Sequence, residues 1–87
     1  MKPLYIPPKK DSPEVDFNPT TKRLSISGIC HPENITKFFA PIMEWLEDFR
    51  NELERSGDKS SILLVLYFRY FNSATYKYLL TLLFSLK

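Results

Sequence analysis

The chain of 87 residues contains few of the residues that most enzymes depend on. It has one cysteine, one histidine and two glycines. Cys30 cannot form a disulfide within the chain, and two glycines are too few for a glycine-rich phosphate loop. Cys30 and His31 are neighbours, and adjacent side chains of an extended segment point in opposite directions, so they make a poor nucleophile and base. The sequence therefore predicts no catalytic residues, no cofactor and no metal site.

An excess of charge and a long hydrophobic run are also missing. Twelve Lys and Arg residues stand against ten Asp and Glu residues, a net charge of +2, which is too small to indicate a nucleic-acid partner. The most apolar run, residues 62–71, is about half the length that a helix needs to cross a bilayer. Prolines interrupt the first ten residues, where a signal peptide needs an apolar helix. We therefore expect a cytoplasmic protein with no membrane span.

The first third of the chain has the pattern of short strands. Five of the seven prolines lie within residues 2–23, so strands there should be short and separated by turns. Residues 4–6 could pair at a sheet edge. Apolar and polar residues alternate over residues 14–17 and 24–27, on either side of the turn sequence at residues 18–21. This pattern predicts an antiparallel hairpin with one solvent-facing side.

The middle of the chain predicts a long amphipathic helix. From Ile35 to Leu53 apolar residues recur every three or four positions, and Pro41 should kink or restart the helix because it removes a hydrogen bond. The carboxylates between the apolar positions should form a solvated face. They are Glu44, Glu47, Asp48, Glu52 and Glu54.

The last third predicts a buried strand and a second helix. Residues 62–71 are apolar at both alternating positions apart from Arg69, as in a central strand covered on two sides. Apolar residues at helical spacing follow: Tyr76, Leu79, Leu80, Leu83, and Phe84 or Lys87. The predicted fold class is α+β, a single domain over residues 1–87 in which a small mixed sheet, made of the hairpin and the buried central strand, packs with two helices.

Small polar residues separate this strand from the helix that follows. In the run Asn72-Ser73-Ala74-Thr75, Asn72 or Ser73 could simply cap the helix by accepting a hydrogen bond from a first-turn amide. A hydroxyl at this position would also be exposed, and a phosphate on it would face the positive end and free amides of the helix. The residues alone leave both interpretations open.

Five stretches, in order, resemble the SiaC-type regulatory phosphoproteins of bacterial partner-switching pathways. They are Ser12–Asn18, Arg23–Gly28, His31–Asn34, Phe38–Phe49 and Tyr70–Leu83. The resemblance implies a phosphoacceptor at Ser73, directly after Asn72. The family usually has Thr and then two Ser residues here, so Thr75 is the alternative acceptor. The resemblance also implies three partners: a kinase, a phosphatase and a diguanylate cyclase, which the unphosphorylated form binds and stimulates.

The sequence departs in two respects from the family that it resembles. Family members commonly have Tyr in place of His31, and they continue past the second helix with another aromatic-rich strand and a further helix. This chain stops at Lys87 without either element, which would leave an edge of the strand at residues 62–71 open. Either the sequence is a fragment, or a partner or a second copy supplies what is missing. The layout is also STAS-like, by a fold-level analogy that assigns no residues.

The expected function is that of a non-enzymatic signalling regulator controlled by reversible phosphorylation. The alternative is a structural or oligomerising module in which Asn72 and Ser73 only cap a helix. A small hydrolase that uses Cys30 and His31 ranks last.

Overall fold

The chain alternates short strands with two helices. A computed structural model describes residues 2–57 and 61–85. The elements are, in order, β1 (Leu4–Ile6), β2 (Glu14–Asn18), β3 (Arg23–Cys30), α1 (Ile35–Ser56), β4 (Leu63–Phe71) and α2 (Ser73–Ser85). The four strands form one mixed sheet, which confirms the predicted α+β fold class.

The predicted hairpin is formed by β2 and β3. The two strands pair antiparallel, with Val15 opposite Ile26 and Phe17 opposite Leu24. Asn18 stabilises the turn between them. Its Oδ1 accepts hydrogen bonds from the backbone amides of Thr20 at 2.9 Å and Thr21 at 3.1 Å. β1 pairs antiparallel with the outer edge of β2, so the first three strands form a meander.

Helix α1 connects β3 to the parallel strand β4. Its first turn is capped by Asn34, whose Oδ1 accepts a 3.0 Å hydrogen bond from the Lys37 amide, and Gly57 closes its other end in the left-handed conformation at φ 68°. The helix continues through Pro41, so the predicted restart is wrong. Pro41 is exposed, and water can satisfy the carbonyl that its ring leaves free.

Both helices cover the same face of the sheet. The buried cluster contains side chains from β2 and β3, five side chains of α1 and Leu82 of α2. Trp45 of α1 packs on Phe17 with 5.3 Å between ring centroids, and its Nε1 donates to the Lys2 carbonyl at 2.8 Å. α1 therefore lies over the β1–β2 side of the sheet, and the opposite face of the sheet carries polar residues such as Asp16 and Ser25.

β4 lies at the edge of the described sheet, where β3 is its neighbour. The predicted central position, with cover on two sides, is therefore wrong for the described residues. Leu64 is opposite the buried Leu24 and faces the helices, whereas Val65 is opposite Ser25 and faces away. On that outer face Tyr67 is 68% exposed. Both alternating sets of β4 are apolar, but the helices cover only one of them.

The buried face of α2 also differs from the predicted one. Thr75, Leu79 and Leu82 are buried, and of these only Leu79 was predicted. The other predicted positions are exposed: Tyr76, Leu80, Leu83 and Phe84. Lys87, also predicted, lies outside the described residues. α2 is apolar around most of its circumference, so periodicity alone could not select the face that packs.

Contacts with α1 fix the orientation of α2. Tyr78 stacks on Phe39 with ring centroids 4.7 Å apart and planes 3° apart. The Tyr78 hydroxyl also donates to Thr36 Oγ1 at 3.0 Å. One side of α2 therefore faces α1, and the side that carries Tyr76 and Leu80 faces away from it.

Candidate functional site

Asn72 caps helix α2 directly after β4 ends. Its Oδ1 accepts a 2.9 Å hydrogen bond from the Thr75 amide, and its carbonyl accepts one from the Tyr76 amide at 3.2 Å. This is the geometry of an N-cap residue, which satisfies one of the free amides at a helix start. The cap is therefore provided by Asn72, and Ser73 is the first residue of the helix.

The Ser73 hydroxyl is open to solvent. Ser73 is exposed, and its side chain has no hydrogen-bond partner among the described residues. It lies in the first turn of α2, where the backbone amides give the helix end a partial positive charge. An anionic group attached to this oxygen would therefore be stabilised by the helix without a change in the cap.

Thr75 has the opposite environment. It is fully buried, and its Oγ1 lies 2.9 Å from Asn72 Oδ1 and 3.1 Å from Cys30 Sγ. A hydroxyl has one hydrogen to donate, so these two acceptors share it. The Thr75 hydroxyl joins the end of β3 to the cap of α2, and solvent cannot reach it while this packing is intact.

Cys30 is a buried thiol that packs against α2. Burial raises the pKa of its thiol, and the hydrogen bond from Thr75 lowers it by a smaller amount. A thiol with a raised pKa remains protonated near neutral pH, and the protonated form is a weak nucleophile. Cys30 therefore has a structural role at this junction.

His31 lies on the surface, apart from the Cys30 thiol. Its Nδ1 is 3.4 Å from Asn72 Nδ2, and its ring meets the edge of Tyr70 at a centroid distance of 6.0 Å. The two residues that the hydrolase hypothesis needs are thus separated, one in the core and one exposed. His31 instead contacts the residue that caps α2.

Sequence reasoning missed the contacts that join β3 to this junction. The Thr75–Cys30 pair is 45 residues apart in sequence and the Asn72–His31 pair 41 residues apart. No local spacing pattern could have indicated them. Only the parallel pairing of β3 with β4, which brings the ends of both strands to one edge of the sheet, places them together.

The described ranges 2–57 and 61–85 offer neither a metal site nor a membrane span. No group of three or more His, Cys, Asp or Glu side chains there could hold a metal ion. Neither helix in these ranges is long and apolar enough to cross a bilayer.

The fold and the site together define a small α+β domain that presents an exposed hydroxyl at a capped helix start. The chain belongs to the SiaC family of regulatory phosphoproteins, whose sequence model matches residues 6–87. This match confirms the family predicted from the five stretches.

Solved structures agree with this membership. Apo-SiaC from Pseudomonas aeruginosa has a TM-score of 0.86 and 27% identity, over 99% of this chain and 67% of that one. SiaC from the same organism, in complex with the diguanylate cyclase SiaD that it activates, has a TM-score of 0.80 and 26% identity, over 92% of this chain and 62% of that one.

A curated relative is similar over a comparable length. An uncharacterised protein of Pseudomonas aeruginosa is 28% identical over 83 residues, which are 95% of this chain. The chain spans 62% of the length of that relative.

Proposed function

We propose that the chain is a non-enzymatic signalling regulator of the bacterial cytoplasm, in which reversible phosphorylation of Ser73 controls binding to a diguanylate cyclase. The regulatory class is supported by family membership, and the choice of partner by the relative that activates SiaD. The choice of acceptor depends on one observation: Ser73 is exposed, whereas Thr75 is fully buried.

A phosphate on Ser73 fits the local geometry. It would bring about −1.5 to −2 charges to the start of α2, where the helix dipole favours negative charge. Asn72 already satisfies the Thr75 amide, so the amides of Ser73 and Ala74 are left for the phosphate. Lys77 lies four residues further on, next to Ser73 on the helix surface. The folded domain can therefore accept the modification.

The same phosphate would change what this surface binds. The residues next to Ser73, such as Phe71 and Tyr76, are exposed and apolar. A phosphate at their edge must lose water when a partner covers it, and that desolvation is costly unless the partner supplies a cation as well, because the single charge of Lys77 cannot balance the phosphate. Unphosphorylated Ser73 has no such cost, so the unmodified form is the one that binds an apolar or acidic partner surface.

Kinase labelling with site mapping tests the acceptor. A SiaC-pathway kinase should label the wild-type chain and Thr20→Ala, a control that removes an exposed hydroxyl from a distant turn. Ser73→Ala should abolish labelling and keep cyclase binding, whereas Ser73→Glu should weaken binding. Labelling that persists in Ser73→Ala would contradict the proposal.

The second candidate function, a structural or oligomerising module, is favoured by the cap itself. Asn72 closes the helix without any modification, and much apolar surface lies nearby. This candidate predicts an unmodified intact mass in the native host under all conditions. A mass increase of one phosphate that maps to Ser73 would exclude it.

A further inference from the structure

A cleft lies between the β1–β2 connection and the start of helix α1. It has a volume of about 420 Å³, and the residues that line it include Lys9, Asp11, Ser12, Glu33, Lys37 and Phe38. We call it the Ser12 cleft. Small-molecule sites have volumes of about 300–1,000 Å³, so this cleft is large enough to hold a ligand. Ser73 does not line it, and the proposed function therefore gives it no role.

The segment that carries Ser12 is fixed against strand β3. The Asp11 carbonyl accepts a 2.7 Å hydrogen bond from the amide of His31, which directly follows β3. Pro13 is fully buried, and a Cβ atom on Gly28 would lie 3.6 Å from the Pro13 Cα. The two connections that form the walls of the cleft are thus joined by backbone and packing contacts.

The Ser12 hydroxyl opens into the cleft from a buried position. Ser12 is only 6% exposed, and its side chain has no hydrogen-bond partner among the described residues. Among those residues, every side-chain oxygen or nitrogen that is closed off from solvent has a partner. The Ser12 oxygen must therefore face the cleft that this residue lines. A buried hydroxyl without a partner gains a hydrogen bond when a ligand supplies one.

Charges of both signs surround this hydroxyl. Four charged side chains line the cleft and are exposed: Lys9, Asp11, Glu33 and Lys37. None of them forms an ion pair with another residue in the described part of the chain. Two positive and two negative groups cancel, so a simple anion or cation gains little net attraction here. A ligand with one charge of each sign can instead be paired with both kinds of side chain.

The cleft also has an apolar part. Pro32 and Phe38 line it and are half-buried. The Phe38 ring meets Phe39 at a centroid distance of 5.2 Å with the planes at 88°, and this contact restricts its orientation. Ligand sites typically combine such an apolar lining with a few placed polar groups.

We propose that the Ser12 cleft binds a small zwitterion with an apolar side chain, which is the chemistry of a free α-amino acid. The ligand carboxylate accepts hydrogen bonds from the Ser12 hydroxyl and from a lysine ammonium group. The ligand ammonium group pairs with Asp11 or Glu33. Its apolar side chain packs on Pro32 and Phe38.

NMR titration of the isotope-labelled chain with phenylalanine and two derivatives tests this chemistry. Phenylalanine should shift the amide signals of residues 9–12 and 33–38 in a saturable way, with a Kd on the order of 1 mM. Phenylalaninamide lacks the carboxylate, and N-acetylphenylalanine lacks the ammonium group. Each derivative should therefore bind at least about fivefold more weakly.

Three variants assign the binding to this cleft. Ser12→Ala should weaken phenylalanine binding at least about fivefold and should still fold, because its hydroxyl has no partner within the described residues to lose. Ser25→Ala removes a hydroxyl from the opposite face of the sheet and should bind like the wild-type chain. Glu33→Gln should weaken phenylalanine about two- to fivefold and leave N-acetylphenylalanine unchanged, since that derivative has no ammonium group to pair.

Three results would overturn the proposal. The absence of saturable shifts up to about 10 mM phenylalanine would mean that the Ser12 hydroxyl binds water only. Equal binding of phenylalanine and either derivative, or of inorganic phosphate, would show that the cleft does not select a zwitterion. Unchanged binding by Ser12→Ala would place the ligand elsewhere. None of these measurements involves Ser73, so their outcome is independent of the proposed function.

Discussion

Replacing Asn72 with Ala removes the acceptor that closes α2. The variant loses the 2.9 Å hydrogen bond from the Thr75 amide, and loss of an N-cap side chain costs about 0.5–2 kcal/mol. The Thr75 hydroxyl loses one acceptor but keeps Cys30 Sγ at 3.1 Å, so it adds little to the cost. We expect a decrease of about 1–2 kcal/mol in the free energy of unfolding, or roughly 4–16 °C in Tm for a domain of this size.

Two variants make this prediction specific. Asn72→Asp keeps an oxygen acceptor at the cap and should retain most of the stability. Asn51→Ala removes an exposed Asn from the interior of α1, where Ala has the higher helix propensity, and should be neutral or slightly stabilising.

Urea unfolding followed by circular dichroism measures all three variants in one assay. If Asn72→Ala were as stable as the wild-type chain, or Asn72→Asp as unstable as Asn72→Ala, the assignment of Asn72 as the cap would be refuted.

Three further predictions concern the core and the site. Urea unfolding should show a cost of about 2–5 kcal/mol for Leu82→Ala, because Leu82 is fully buried, and under about 1 kcal/mol for Leu83→Ala, whose side chain is exposed; equal costs would contradict the face assigned to α2. Burial raises the pKa of the Cys30 thiol, so above the ordinary thiol pKa the folded state keeps a proton that the unfolded chain loses. The free energy of unfolding should therefore be constant in this respect below the ordinary thiol pKa and fall as pH rises above it, a decrease that Cys30→Ala should lack. Ser73→Ala should change the free energy of unfolding by less than about 0.5 kcal/mol, since Ser73 is exposed and is not the cap; a larger loss would indicate a structural role for its hydroxyl.

The elements of this fold were largely predictable because their patterns are local. Alternation of polar and apolar residues located β2 and β3, and the spacing from Ile35 to Leu53 located α1. The turn that begins at Asn18 was predictable for the same reason, because the residue types that favour a turn are neighbours in the sequence. The fold class followed from the order of these elements.

The arrangement of the last two elements was less predictable because it depends on long-range packing. β4 is apolar at both alternating positions, and this pattern is the same whether a strand is covered by protein or is exposed at an edge. The face of α2 is set by the contact of Tyr78 with Phe39, which no periodicity encodes. Similarly, Ser73 and Thr75 are equivalent hydroxyls in sequence, and only the packing of Thr75 on Cys30 distinguishes them.

If a phosphate on Ser73 controls partner binding, the modified and unmodified chains must differ in their affinity for the partner. The most direct measurement compares the affinity of the unmodified chain and of the chain phosphorylated stoichiometrically, with the site mapped by mass spectrometry, for a diguanylate cyclase from the same organism. We expect phosphate on Ser73 and binding weakened at least tenfold, about 1.4 kcal/mol. Equal affinity of the two forms, or phosphate on Thr75 alone, would contradict it.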